Sequence, residues 1–154
     1  MIIGFTGTQK GMTDWQKKEL AMILKIQNCS EFVHGDCIGA DVEASTIAIL
    51  NRVKIFSVYP SNLTKKRAYS FRDNGTYGEY RLIHLDAINE DFQVKFHPPK
   101  NPLERNKDIV HYCDFMICAP KEHAHSLRSG TWMTIRYIWK MKKAHIIIPP
   151  MEKV

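Results

Sequence analysis

Apolar residues in this chain fall into short blocks that alternate between two rhythms. Met1-Ile2-Ile3-Gly4-Phe5 is a continuous apolar run, as in a strand covered on both faces, and it leaves into the loop Thr6-Gly7-Thr8-Gln9-Lys10-Gly11. Thr13-Asp14 then offers a helix cap, and Trp15, Leu20, Met22, Ile23, Leu24 and Ile26 recur at helical spacing. The same unit follows again. Glu31-Phe32-Val33-His34 predicts a second strand, Gly35 to Asp41 a turn, and Val42, Ala44, Ile47, Ala48 and Leu50 the apolar side of a second helix. Val53 to Tyr59 predicts a third strand, closed by Pro60-Ser61-Asn62. Beyond a long interruption the rhythm resumes. Asn101 as cap and Pro102 as first helical residue start a helix over Leu103 to Cys113. Phe115 to Ala119 is a fourth core strand, Ser129 to Lys142 a helix, and Ala144 to Pro149 the last strand.

Strands alternating with helices imply right-handed βαβ crossovers and a largely parallel sheet. The expectation is an α/β, Rossmann-like three-layer fold with about five core strands, in one domain over residues 1–154. The interruption, Thr64 to His97, is expected as an inserted arm after the third strand. It is too short for a core of its own. Within it Lys65, Lys66, Arg67 and Arg72 alternate with Tyr69, Phe71, Tyr77 and Tyr80, Asp73-Asn74-Gly75 signals a turn, and Phe92 to Phe96 alternates like an edge strand. Such a segment suits a solvated loop whose aromatics pack back on the sheet, with a lid over the ligand as the intermediate case, and interleaved aromatics and cations also suit stacking on bases and holding phosphates of nucleic acid.

Composition narrows the classes. An apolar share of 44% and a charged share of 25% are ordinary for a globular protein, and no run approaches the roughly 18 apolar residues of a membrane helix. The start lacks a basic n-region, so no signal peptide and no membrane partner are expected, and a cytoplasmic location is. Cys29, Cys37, Cys113 and Cys118 show no C-x-x-C spacing and read as free thiols. A net charge of +6 favours anionic partners, as steering more than as a specific act.

Three turns fall at the strand ends where ligands bind in open α/β sheets. Gly7-Thr8-Gln9 follows the first strand, but the Gly4-x-x-Gly7 spacing is no dinucleotide fingerprint. Gly35-Asp36-x-x-Gly39-Ala40-Asp41 takes the matching place in the next unit. Asp36 there could hold a ribose, orient another loop or act as a base, whereas Asp41 suits the helix dipole. Ser129-Gly130-Thr131 opens a helix after an apolar strand, and its unpaired N–H groups suit a phosphate. Arg105-Asn106, in the first turn of the third helix, presents a forked guanidinium for an anion or an ion pair. Glu122 with His123-Ala124-His125 lacks a third ligand for a metal, and Ser126 and Ser129 lack the G-x-S-x-G elbow of a hydrolase.

Taken in order, GFTGTQKGMT, HGDCIGAD, PLERNKDIVHYCDFMICAP and SLRSGTWMTIRYIWK before IIIPP resemble the SLOG superfamily. That superfamily includes the Lonely-guy phosphoribohydrolases, the DNA-processing proteins of natural transformation, and small stand-alone and phage-type members. The resemblance implies a Rossmann-like fold with a ligand across the strand ends. The Lonely-guy motif P-G-G-x-G-T-x-x-E carries a carboxylate at the position of Thr134, and a hydroxyl cannot replace its proton transfer.

Three functions follow as expectations. The first is binding of a phosphorylated nucleotide, NAD-derived signals included, without Lonely-guy-type hydrolysis. Gly7, Thr8 and Gln9 would form one wall, Gly35, Asp36 and Gly39 a second, and Ser129, Gly130 and Thr131 a phosphate cradle. Arg105 would add charge, and Trp132 would stack on a base or pack in the core. The second is N-glycosidic cleavage of a nucleoside monophosphate using Asp36 or another acid. The third, less favoured, is single-stranded nucleic-acid binding. No catalytic residue, metal or cofactor is assigned. The apolar face Trp132, Ile135, Tyr137, Ile138, Trp139 and Met141 suggests a homodimer.

Overall fold

The computed structural model describes residues 1–71, 92–123 and 127–151. Arg72, the Asp73-Asn74-Gly75 turn, Tyr77, Tyr80, His125 and Ser126 lie outside the described residues. The elements follow the expected alternation. They are β1 (Ile2–Gly7), α1 (Asp14–Ile26), β2 (Glu31–His34), α2 (Ala40–Leu50), β3 (Ile55–Val58), a 3-10 turn (Thr64–Lys66), β4 (Gln93–Phe96), α3 (Pro102–Tyr112), β5 (Phe115–Ala119), α4 (Gly130–Met141) and β6 (His145–Ile147).

The six strands form one sheet of order β4-β3-β2-β1-β5-β6, and every pairing is parallel. The sixth strand comes from the segment expected as an arm. Phe92–Phe96 alternates because β4 is an edge strand, with Val94 and Phe96 packed on the core and Gln93 and Lys95 exposed. The chain builds outward from β1 to β4, crosses back, and lays β5 on the other side of β1. Right-handed crossovers put helices on one face during outward growth and on the other after the return. Accordingly Leu20 and Leu24 of α1 and Ala40, Ala44 and Ala48 of α2 join Phe5, Phe32 and Phe56 in one core. Ile109 and Val110 of α3 and Trp132, Ile135 and Ile138 of α4 join Val33, Met116 and Cys118 in the other. Three layers result.

Helix starts obey local chemistry. Thr13 and Gln16 form a reciprocal capping box at α1, Asn101 Oδ1 accepts from Glu104 N at 3.0 Å ahead of Pro102, and Ser129 Oγ accepts from Trp132 N at 3.2 Å. Gln16 does more than cap. Its buried Nε2 donates to the carbonyls of Pro120 and Ile148, tying α1 to the ends of β5 and β6.

On α4, Trp132, Ile135 and Ile138 turn into the core, while Trp139 and Met141 stay exposed. The apolar face is therefore largely used within the fold. Among the described residues no helix is long and apolar enough to cross a membrane.

Candidate functional site

Because all strands are parallel, the loops after β1, β2 and β5 leave from one edge. Strand order reverses between β1 and β5, so the loop after β1 turns toward one helical layer and the loop after β5 toward the other. A crevice must open there. It does, as a cavity of about 520 Å³, within the range of about 300–1,000 Å³ usual for small-molecule sites. Its wall combines the loop after β1, the turn after β2, Ser61 and Lys66 beyond β3, the first two turns of α3, Lys121 and Glu122 after β5, and Arg128 to Thr131 with Met133 at the start of α4.

The turn after β2 is locked by its own bonds. Asp36 N–H donates to His34 Nδ1 at 2.9 Å. A backbone amide can only donate, so Nδ1 carries the lone pair and Nε2 the proton. Nε2 faces Ser45 Oγ at 2.7 Å, and that hydroxyl donates to the carbonyl of Asp41 at 3.0 Å. This neutral tautomer agrees with complete burial, which pushes the imidazole's pKa below its ordinary value. Asp36 adopts φ 53°, is itself buried, and accepts from Ser70 N at 3.0 Å and Arg67 Nε at 3.4 Å. Its carbonyl accepts from Ala68 N at 2.7 Å. Of the roles open to Asp36, the structure shows it orienting another loop, the one that brings Lys66 to the cavity. Asp41 Oδ2 accepts from Cys37 N at 3.0 Å, and burial pushes its carboxyl pKa up. Gly39 has φ 89°, and a Cβ there would collide with the backbone of Gln9, so this turn and the loop after β1 fit together only through glycine.

Thr8 is the matching hinge in the loop after β1. Its N–H reaches the carbonyl of Ala119, its carbonyl accepts from Ala40 N at 3.0 Å, and its hydroxyl accepts from Lys10 N at 3.1 Å. Gly7 and Gln9 join it in the wall.

Arg105 is 5% exposed and lies across the missing side chain of Gly35. Nη1 donates to the carbonyls of Gly35 at 2.8 Å and Tyr59 at 3.2 Å, Nε donates to Asn106 Oδ1 at 2.8 Å, and Nη2 approaches Cys37 Sγ at 3.5 Å. All of these acceptors are uncharged. This guanidinium in the cavity wall is bonded to dipoles and forms no direct ion pair with a carboxylate among the described residues. The neighbouring Cys37 thiol is pushed up to about 11, chiefly by burial, which keeps it protonated and unreactive near neutral pH.

The start of α4 contrasts with these interlocked loops. Ser129 caps the helix, which leaves the N–H groups of Gly130 and Thr131 among the unpaired donors of the first turn. A Cβ on Gly130 would meet nothing within 4 Å. Thr134, at the position of the Lonely-guy carboxylate, is buried and donates to the carbonyl of Gly130 at 3.2 Å.

Of the residues expected at the site, Gly7, Thr8, Gln9, Gly35, Arg105, Ser129, Gly130 and Thr131 line the cavity together. Asp36, Gly39 and Trp132 do not. The first two brace the turn, and Trp132 packs in the core edge-on to Trp139. Sequence reasoning missed Lys10, Lys66, Lys121, Arg128 and Glu122, which also line it. The four cations are exposed and form no ion pair among the described residues. They come from three connections, those after β1, β3 and β5, and only the strand order brings them to one opening.

No protein-family model matches the chain, and no curated protein does. Among solved structures, the chain is similar to the X-ray structure of DNA processing protein A (DprA) from Streptococcus pneumoniae, with a TM-score of 0.60 and 18% identity. The match covers 95% of this chain and 49% of that one, so the chain spans about half the length of that protein. At this identity the likeness is one of fold, and the fold is the Rossmann-like α/β arrangement described above.

Proposed function

We propose that the chain binds a phosphorylated nucleotide or nucleotide-derived molecule in the cavity at the β1–β5 crossover. The observation that carries this reading is Arg105, a buried guanidinium bonded to uncharged acceptors alone, in a wall that also holds Lys10, Lys66, Lys121, Arg128 and the open start of α4. An anion offsets the desolvation of that charge and accepts from the free first-turn donors at once. Asp36, the acid named for N-glycosidic cleavage, does not favour it, nor does the neighbouring Asp41. Asp36 is committed to Ser70 and Arg67, and Asp41 to Cys37. Isothermal titration with a panel of nucleotides tests the reading: binding is expected in the wild type and absent in Gly130→Asp. Silence across the panel would overturn it.

Fold likeness to a DNA-processing protein supports a second reading, binding of single-stranded nucleic acid through the same exposed lysines. Its signature is affinity that falls steeply with salt. Gel shifts that show no complex at low salt exclude it. The homodimer expected from α4 now rests on Trp139 and Met141, and a light-scattering mass of one chain removes it.

A further inference from the structure

Two acids stand in the cavity wall, Asp41 and Glu122, and their situations differ. Asp41 takes the amide of Cys37. Glu122 has its Oε2 sealed from solvent with no hydrogen-bond partner among the described residues. Neither Lys121 nor Arg128, also in the wall, forms an ion pair with it. A sealed acceptor without a donor destabilises the free protein, more so when it carries charge, and native structures keep few of them.

A carboxylate repels phosphate, so Glu122 cannot serve the anion that Arg105 and the start of α4 attract. It needs a donor, and within a nucleotide the donors are sugar hydroxyls and base amines. Carboxylates at the strand ends of open α/β sheets characteristically take ribose hydroxyls. Asp36, the acid that the sequence offers for this task, is turned away into Ser70 and Arg67. We infer that Glu122 accepts a hydrogen bond from a ribose hydroxyl of the bound nucleotide and makes the site selective for ribonucleotides. This inference rests on the nucleotide-binding reading above.

Three measurements test it. In wild-type protein, a ribonucleoside monophosphate is expected to bind on the order of 10- to 100-fold more tightly than its 2′,3′-dideoxy analogue. In Glu122→Gln that preference is expected to fall below about 3-fold, while inorganic pyrophosphate binds as well or better because a repelling charge is gone. Without ligand, Glu122→Gln is expected to melt at the same temperature or higher, since an unsatisfied acceptor has lost its charge. Equal wild-type affinity for the two nucleotides, a preference unchanged in Glu122→Gln, or a lowered melting temperature overturns the inference while leaving the anion site standing. Wild-type protein that binds neither nucleotide nor pyrophosphate overturns both.

Discussion

The turn after β2 and the turn before α4 look alike in sequence, each a glycine-containing step from strand to helix at the same edge of the sheet. In the structure they are opposites. The first spends its polar groups inward: Asp36 on Ser70 and Arg67, His34 on Asp36 and Ser45, Asp41 on Cys37, and Gly39 pressed on Gln9. The second keeps its helix donors unpaired and its glycine in open space. Glycine is needed for fit in one and for access in the other. Scaffold and proposed ligand surface are therefore told apart by where the hydrogen bonds go.

That contrast can be broken experimentally, with the largest effect expected at Gly39. Gly39→Val forces a branched residue to φ 89° against the Gln9 backbone and is expected to cost about 3 kcal/mol or more, read as a lower urea midpoint. Arg105→Met removes the donors to Gly35 and Tyr59 and is expected to cost about 2–4 kcal/mol, since two buried carbonyls lose a partner. It should also weaken nucleotide binding at least about tenfold, because charge leaves the wall. Gly130→Asp should leave stability within about 0.5 kcal/mol while abolishing nucleotide binding. A destabilised Gly130→Asp would show that the two turns are alike after all.

The smallest expected effect is a pH dependence. His34 takes up a proton in the unfolded chain near its ordinary 6.5 but only at lower pH when folded. Its contribution to stability is whole above pH 6.5 and is lost as pH falls from there toward the folded value, by at most about 1.4 kcal/mol per pH unit. Asp41 works in the opposite sense, since its folded pKa lies above 3.8: its contribution is whole below pH 3.8 and lost as pH rises toward the folded value. Asp36 and Arg105 also act on the imidazole, with opposite signs. Comparing His34→Gln with wild type by urea denaturation at about pH 7.5 and 5.5 separates the histidine. The wild type is expected to lose more than the variant on acidification, and parallel losses would show that His34 is not the source of the dependence.

Much of the fold was legible because its signals are local. Apolar runs such as Phe115 to Ala119, and caps such as Thr13, Asn101 and Ser129, act within a few residues, and the elements formed where they point. β4 was legible as an exposed or edge strand but its partner was not, because the pairing is with Ile55 to Val58, far back in the chain. At the site, the glycine turns could be read, and the meaning of Arg105 could not. Its geometry is fixed by the bare backbone of Gly35 and the carbonyl of Tyr59, 70 and 46 positions away. Lys10, Lys66, Lys121, Arg128 and Glu122 carry no signal in the sequence that assigns them to one site. They become one wall only when strand order places their loops side by side.

The central position of β1 has a consequence for how the chain assembles. Its two flanking partners come from opposite ends of the fold: Ile3 aligns with Phe32 on one side and with Phe115 on the other. While the chain is still emerging from the ribosome, the first strand can gain β2 early but must wait for more than a hundred residues before β5 arrives. Until then its second edge is an unpaired apolar ribbon, open to association with other chains. Long-range parallel pairing is slow because loop closure precedes its reward. The nascent chain is therefore most vulnerable just before β5 is released, and the crevice between β1 and β5 comes into being only when that last central pairing is made.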